Sequence, residues 1–198
     1  MPQMSQKTHL TSVLYSITSG FTFRSKVEND KNGDLLVIQL KDLKHSYSVI
    51  GSQLTRVSSS LTGRNVLLEK GDVLFIGKGA NNYSIEFNLD LPNVVASSAF
   101  FILRPDQATV IPAYLAWYMN QTSVQRYLKE NTAGTYIPNI NKGTLDNLMI
   151  EVPPLSVQKK IVAIDQLRKR EQILSEAITN KRSIVVDAAL QQILKKTT

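Results

Sequence analysis

The sequence has 198 residues, 42% of them hydrophobic, enough for one well-buried domain and too few for two ordinary domains plus a long helix. It has no cysteine, which excludes disulfides and thiolate metal sites and fits a reducing, cytoplasmic setting. The N-terminal MPQMSQKTHLTSVLYSITSG has no apolar run of signal-peptide length, and no later segment reaches the roughly 20 apolar residues of a membrane helix, so a soluble chain with no membrane partner is expected. The net charge of +7 favours a polyanionic partner. It is spread out: residues 1–150 hold 14 Lys and Arg against 11 Asp and Glu, or +3, and residues 151–198 hold 9 against 5, or +4.

In chain order, Leu10, Leu14 and Ile17 recur at helical spacing before Gly20 and predict a short opening helix. LLVIQL at 35–40 and VLFIG at 73–77 read as buried strands. Residues 83–89 alternate, with Tyr83, Ile85, Phe87 and Leu89 on one face and Ser84, Glu86 and Asn88 on the other, predicting a half-exposed strand. The intervening GKGANN suits a hairpin with an exposed basic loop. VVASSAFFILRP at 94–105 supplies another strand, with Pro105 and Asp106 as its terminating turn.

From Pro112 the pattern turns helical, with Leu115, Tyr118 and Met119 on one face. A second helix follows, with Thr122 and Gln125 spaced for a capping box and Tyr127 and Leu128 facing inward. Residues 132–145 have loop composition, and Pro153 and Pro154 hand over to a glycine- and proline-free segment from Ser156 to about Lys195. As one helix it spans about 60 Å. Of its heptad core positions, Lys160, Glu171, Lys181 and Gln192 are polar, so the apolar stripe is interrupted. A lone helix of this length cannot bury such a stripe without a partner. The expected fold class is α+β: a mixed α/β domain over residues 1–152 followed by a long helix over 153–198.

Enzymatic chemistry finds little support. GDVLFIGKG departs from a phosphate-binding loop, because five residues separate its glycines and Gly79 follows Lys78 where Ser or Thr should hold magnesium. His9 and His45, without cysteines, make no metal set and read as surface residues. No methyltransferase motif or glycine-rich cofactor fingerprint occurs, and no acidic-x-Lys follows Asp106 as a nuclease would need. A non-catalytic chain with no cofactor and no metal is expected.

GDVLFIGKG at 71–79, SSAFFILRP at 97–105, IPAYLAWYMN at 111–120, GTYIPNINKGTLDNLMIEVPPLSVQKKIV at 134–162 and the long helix stand in the order seen in type I restriction-modification DNA specificity subunits. SITSGFTFRSK at 16–26 resembles the start of their target recognition domains. The chain thus resembles a half-length form of that family, with one recognition domain where members usually carry two, each followed by a long helix. The resemblance implies that two copies associate through an antiparallel helix pair, that the helices dock DNA methyltransferase subunits, and that each domain reads a few base pairs of double-stranded DNA. Recruitment of a restriction or motor subunit stays open.

Basic, amide and hydroxyl side chains on predicted loops are the candidates for DNA contact, since Arg and Lys suit phosphates and guanine while Asn suits adenine. These are Arg24, Ser25 and Lys26; Lys78, Asn81, Asn82 and Tyr83; Thr135, Tyr136, Asn139, Asn141 and Lys142; and Arg56 and Arg64 in the Ser-rich stretch. Ile164, Leu167, Leu174, Ile178, Val185 and Ala188 are the candidate dimer interface. Arg168, Lys169 and Arg170 form either a solvated face or a phosphate contact. The alternatives are a coiled-coil adaptor that binds protein and never DNA, and an inhibitory decoy that competes for methyltransferase.

Overall fold

The computed structural model describes residues 6–23, 26–45, 47, 49–58, 67–79, 81–131 and 139–196. In chain order the elements are β1 (Gln6–His9), a 3-10 turn (Leu10–Val13), β2 (Leu14–Ser19), β3 (Leu35–Ile38) and a second 3-10 turn (Leu40–Asp42). Then come β4 (Leu43–Lys44), β5 (Val49–Ile50), β6 (Thr55–Val57), β7 (Val73–Ile76), β8 (Ser84–Glu86), β9 (Val94–Ala96) and β10 (Phe100–Pro105). The chain finishes with α1 (Pro112–Met119), α2 (Thr122–Glu130), α3 (Lys142–Asp146), β11 (Met149–Val152) and α4 (Leu155–Lys196). It divides into two compact units, Met1–Val162 and Ala163–Thr198.

The first unit is organised by a four-stranded sheet of order β2-β10-β7-β8, with every pairing antiparallel. All four residues of β7 are buried because the sheet has a core on each face. Val73, Phe75 and Leu103 of the sheet join one core with Leu115, Met119, Leu128 and Ile150, which the helices and β11 supply. Leu74 and Ile76 join the other with Ile38, Phe87, Val94, Phe100 and Ile102. A strand covered on both sides has no reason to alternate, which explains the unbroken apolar run VLFI. A three-stranded sheet, β6-β3-β9, lies beyond the second core, with β3 parallel to β9 and antiparallel to β6. Its Leu35, Val37, Val57 and Val95 form a third small core with Phe23 and Val27. β1 pairs with β11 and β4 with β5.

Several sequence expectations change here. The expected opening helix over residues 10–17 is a 3-10 turn followed by β2, whose Ile17 and Thr18 pair with Leu103 and Ile102. Pairing along β10, with the β-branched Ile17 and Thr18 within the paired stretch, overrides the helical spacing. VVASSAFFILRP is two strands in different sheets, parted by a turn at 97–99. The capping box does not form: α2 starts after Gln121, and Gln125 donates to the Asn82 and Met119 carbonyls instead. The described end of the expected 132–145 loop holds α3, capped by Asn141, whose Oδ1 accepts from the Thr144 N–H at 2.9 Å. Ser84, expected on the open face, is buried under α1.

The long helix begins at Leu155, where the Pro154 carbonyl accepts from the Val157 and Gln158 N–H groups. Gln158 is wholly buried and fully bonded: its Oε1 accepts from the Ile111 N–H at 2.8 Å, and its Nε2 donates to the Thr109 and Pro153 carbonyls at 3.1 and 2.8 Å. In the second unit, Asp165 accepts from Arg168 and Lys169, each at 2.8 Å. Burial pushes the Asp165 carboxyl up, but the hydrogen bonds from Lys169 and Arg168 outweigh it and hold the group below its ordinary range.

Gln158→Leu keeps the volume but strands one N–H and two carbonyls, so unfolding in urea should show a loss of about 2–4 kcal/mol. Gly20 is limited by space, since a Cβ there would lie 2.1 Å from the Ser97 carbonyl oxygen. Gly20→Ala should therefore cost about 1–3 kcal/mol in the same assay, the range of overpacked cores.

Candidate nucleic-acid interface

The ends of the central strands bring separate chain segments together. Phe101 pairs with Ser19, and Phe100 with Ile76, so the exit of β2, the entry of β10 and the exit of β7 share one end of the sheet. Three connections emerge there: the segment after Ser19, the 97–99 turn and the β7–β8 turn. Phe21 bridges to Ser97, and Lys78 bridges to Asn139, which adds the approach to α3. Backbone bonds fix these joins, from Gly77 N–H to the Ala99 carbonyl at 2.9 Å and from Ile140 N–H to the Gly77 carbonyl at 2.8 Å.

Two of the predicted loops therefore meet. Lys78 and Asn139 are exposed neighbours, and the Lys78 ammonium donates to the Ser98 hydroxyl at 3.3 Å. Gly79, at φ +115°, makes the turn in open space. Asn81 is exposed and donates to the Tyr47 hydroxyl at 3.4 Å. The Tyr47 and Tyr83 rings lie 6.0 Å apart, and Tyr83 packs on the second core. Lys142 stands exposed at the first residue of α3.

Other predicted residues are committed elsewhere. Asn82 spends its amide on the Ile76 carbonyl at 2.9 Å, and Asn141 spends its carbonyl on the α3 cap. Lys26 and Arg56 are exposed, but on the side of the three-stranded sheet, where the Arg56 N–H donates to Asn29 and its carbonyl accepts from the Asp30 N–H. Arg24, Ser25, Arg64, Thr135 and Tyr136 lie outside the described residues. Ser98, Asn120 and Gln125 were missed. Asn120 directly after a helical run was a readable end signal, whereas nothing in sequence spacing placed Gln125 beside Asn82.

The opposite end of the sheet has a different chemistry. A cleft of about 270 Å³ there is lined by Tyr15, Glu69, Asp72, Arg104 and Asp106, among others. Arg104 is already engaged, through Nε and a terminal nitrogen to the Asp72 carboxylate at 2.8 and 2.9 Å and through the other to Glu69 at 2.6 Å. Lys70 also lines the cleft, which thus carries the carboxylates of Glu69, Asp72 and Asp106 against one lysine and a guanidinium already committed. Among the described residues no group of three or more acidic or histidine side chains could hold a metal, and no helix is long and apolar enough to cross a membrane.

The chain is a mixed α/β domain carrying a long C-terminal helix, with polar loops gathered at one sheet end. The chain belongs to the type I restriction modification DNA specificity domain family, which matches residues 5–181. The specificity subunit of the type I restriction enzyme MjaVIII of Methanocaldococcus jannaschii is 26% identical over 136 residues, 69% of this chain and 30% of that protein. That of the HindI enzyme of Haemophilus influenzae is 30% identical over 102 residues, 49% of this chain and 22% of the relative. Among solved structures, the HsdS subunit of Thermoanaerobacter tengcongensis aligns with a TM-score of 0.64 at 17% identity, covering 89% of this chain and 46% of that one. The type I S subunit of M. genitalium aligns with a TM-score of 0.57 at 16% identity, covering 83% and 38%. The chain spans under a third of the curated relatives it matches, and its homologues are the specificity component, a non-catalytic family.

At the acidic end, the Thr109 hydroxyl, the Ala108 N–H and the Tyr15 hydroxyl hold the Asp106 carboxyl below its ordinary range. The turn is therefore favoured above the ordinary carboxylate range and loses that contribution as pH falls through the depressed value. In ¹³C carboxyl titrations, Thr109→Val should raise the Asp106 midpoint, and Tyr15→Phe should raise it by less. An unmoved midpoint in Thr109→Val contradicts this account.

Proposed function

We propose that this chain reads DNA sequence as the specificity component of a type I restriction-modification system, with residues 1–152 as target recognition domain and 153–198 as spacer and dimerisation helix. The observation that carries the proposal is the gathering of Lys78, Asn81, Ser98, Asn139 and Lys142 at one end of a rigid sheet, in a chain whose family is defined by DNA specificity. Lysine ammonium groups suit phosphates, and free amide groups suit base edges. The chain itself transfers no methyl group and cuts no DNA; it positions methyltransferase subunits, and through them a restriction subunit where one is present.

A bipartite target needs two readers, and one chain carries one. Ile164, Leu167, Leu174, Ile178 and Val185 are 50–69% exposed, and Ala188 is exposed too. The 42 residues of α4 extend for about 63 Å, so a second copy lying antiparallel supplies the missing cover. Twofold symmetry then imposes inverted half-sites. Of the basic cluster on this helix, Arg168 and Lys169 already engage Asp165.

Binding to a duplex enriched from a random pool by the wild type should weaken with salt at a log-log slope of about −0.9 per neutralised phosphate. Asn81→Ala should cost about 1–3 kcal/mol and relax one position, whereas Lys78→Ala should weaken all sequences alike and flatten the slope by about one. No duplex preference at any salt would leave the protein-adaptor alternative standing.

Leu174→Asp with Ile178→Asp places unpaired charge in the helix pair and should leave a monomer by light scattering. Insertions within 171–185 should change the spacing between half-sites before the half-sites themselves, as read by mapping methylated sites in cells that also express the methyltransferase. A wild type that stays monomeric at micromolar concentration on DNA refutes the paired model.

A further inference from the structure

The β7–β8 turn carrying Lys78 and Asn81 is gripped by two side chains of the helical layer, and both grip backbone atoms. Asn120, at the end of α1, accepts from the Ser84 N–H and donates to the Ser84 carbonyl, each at 2.8 Å. Its carboxamide stands where a neighbouring strand would pair with β8. Gln125, in α2, donates to the Asn82 carbonyl at 2.7 Å and to the Met119 carbonyl at 2.8 Å, so it ties the turn to the end of α1. Asn82 closes the arrangement from within through the Ile76 carbonyl. Met119, Val124 and Leu128 are buried in the first core, which makes α1 and α2 a fixed support.

The hairpin has its own ladder, in which Leu74 faces Ile85 and the Ile76 N–H donates to the Tyr83 carbonyl. It does not need Asn120 or Gln125 in order to form. What these amides add is the location of the turn relative to the rest of the unit, and a recognition side chain must be held to within about 0.5 Å to discriminate between base edges. We infer that Asn120 and Gln125 are positioning residues for DNA readout, acting through the β7–β8 turn without touching DNA. This inference rests on the DNA-recognition role proposed above. Because both amides bind backbone atoms, neither occupies the exposed side chains of Lys78 and Asn81.

The test uses the full chain and a fluorescent duplex enriched by wild type from a random pool. Gln125→Met removes both donors with no change of charge and little change of volume, and Asn120→Ala serves as the second variant. Each should raise the Kd for the enriched duplex about five- to tenfold and narrow the ratio to a scrambled duplex; the stranded backbone groups should lower the melting temperature by several degrees, so binding is read at a temperature where each variant is fully folded by circular dichroism. Hydrogen exchange should quicken across residues 77–84 and stay unchanged in β10. In a Lys78→Ala, Asn81→Ala background, Gln125→Met should add less than about twofold, because its effect passes through those side chains. Equal effects in both backgrounds, or variants that bind and discriminate as wild type does, overturn the positioning role while leaving DNA recognition intact. A wild type that enriches no duplex overturns both.

Discussion

One buried amide ties three segments of the first unit to a single point. Gln158, on the opening turns of α4, holds the Thr109 and Pro153 carbonyls and the Ile111 N–H. Thr109 and Ile111 lead into α1, and Pro153 leads out of β11, so the start of the long helix, the start of α1 and the end of the edge strand meet at one carboxamide. A buried amide with every group bonded is directional in a way that apolar contact is not. It sets the register of the first turns of α4 against the domain. The other end of α1 carries Asn120, so the same short helix runs from this junction to the turn that bears Lys78.

The second constraint is the double-sided sheet. With β7 and β10 buried on both faces, the strands contribute little to the surface except at their ends, where polar chemistry can gather. The two ends differ. One gathers ammonium, amide and hydroxyl groups from segments far apart in sequence, and the other locks a guanidinium between carboxylates. The sheet thus acts as a rigid bar with unlike tips, and the proposed DNA-reading role falls to the tip that carries the ammonium and amide groups.

Much of this was legible beforehand. The unbroken apolar runs announced buried strands, the glycines and asparagines of GKGANN announced the hairpin, and the 40 residues without glycine or proline announced α4. The failures have physical causes. Leu10, Leu14 and Ile17 satisfy a helical period by chance, and only the pairing of Ile17 and Thr18 with β10 decides for a strand. VVASSAFFILRP reads as one strand because its two halves are equally apolar, and their membership of different sheets is a tertiary fact. The site was legible as loops and illegible as contacts. An asparagine in a loop advertises that it will hydrogen-bond, but the sequence does not say with what: Asn82 and Asn141 serve their own backbone, while Asn81 and Asn139 stay at the surface.

The joins among the strands and loops of the polar tip run largely through backbone atoms, from Gly77 to Ala99 and Ile140 and from Phe21 to Ala96, and the Asn120 carboxamide adds two bonds to the Ser84 backbone. A surface stitched through its main chain is indifferent to the side chains that project from it. Positions 78, 81, 98 and 139 can therefore be exchanged at small cost in stability, and, on the proposed DNA-reading role, a new set of bases would be addressed by changing a few letters of the sequence while the frame beneath stays as it is.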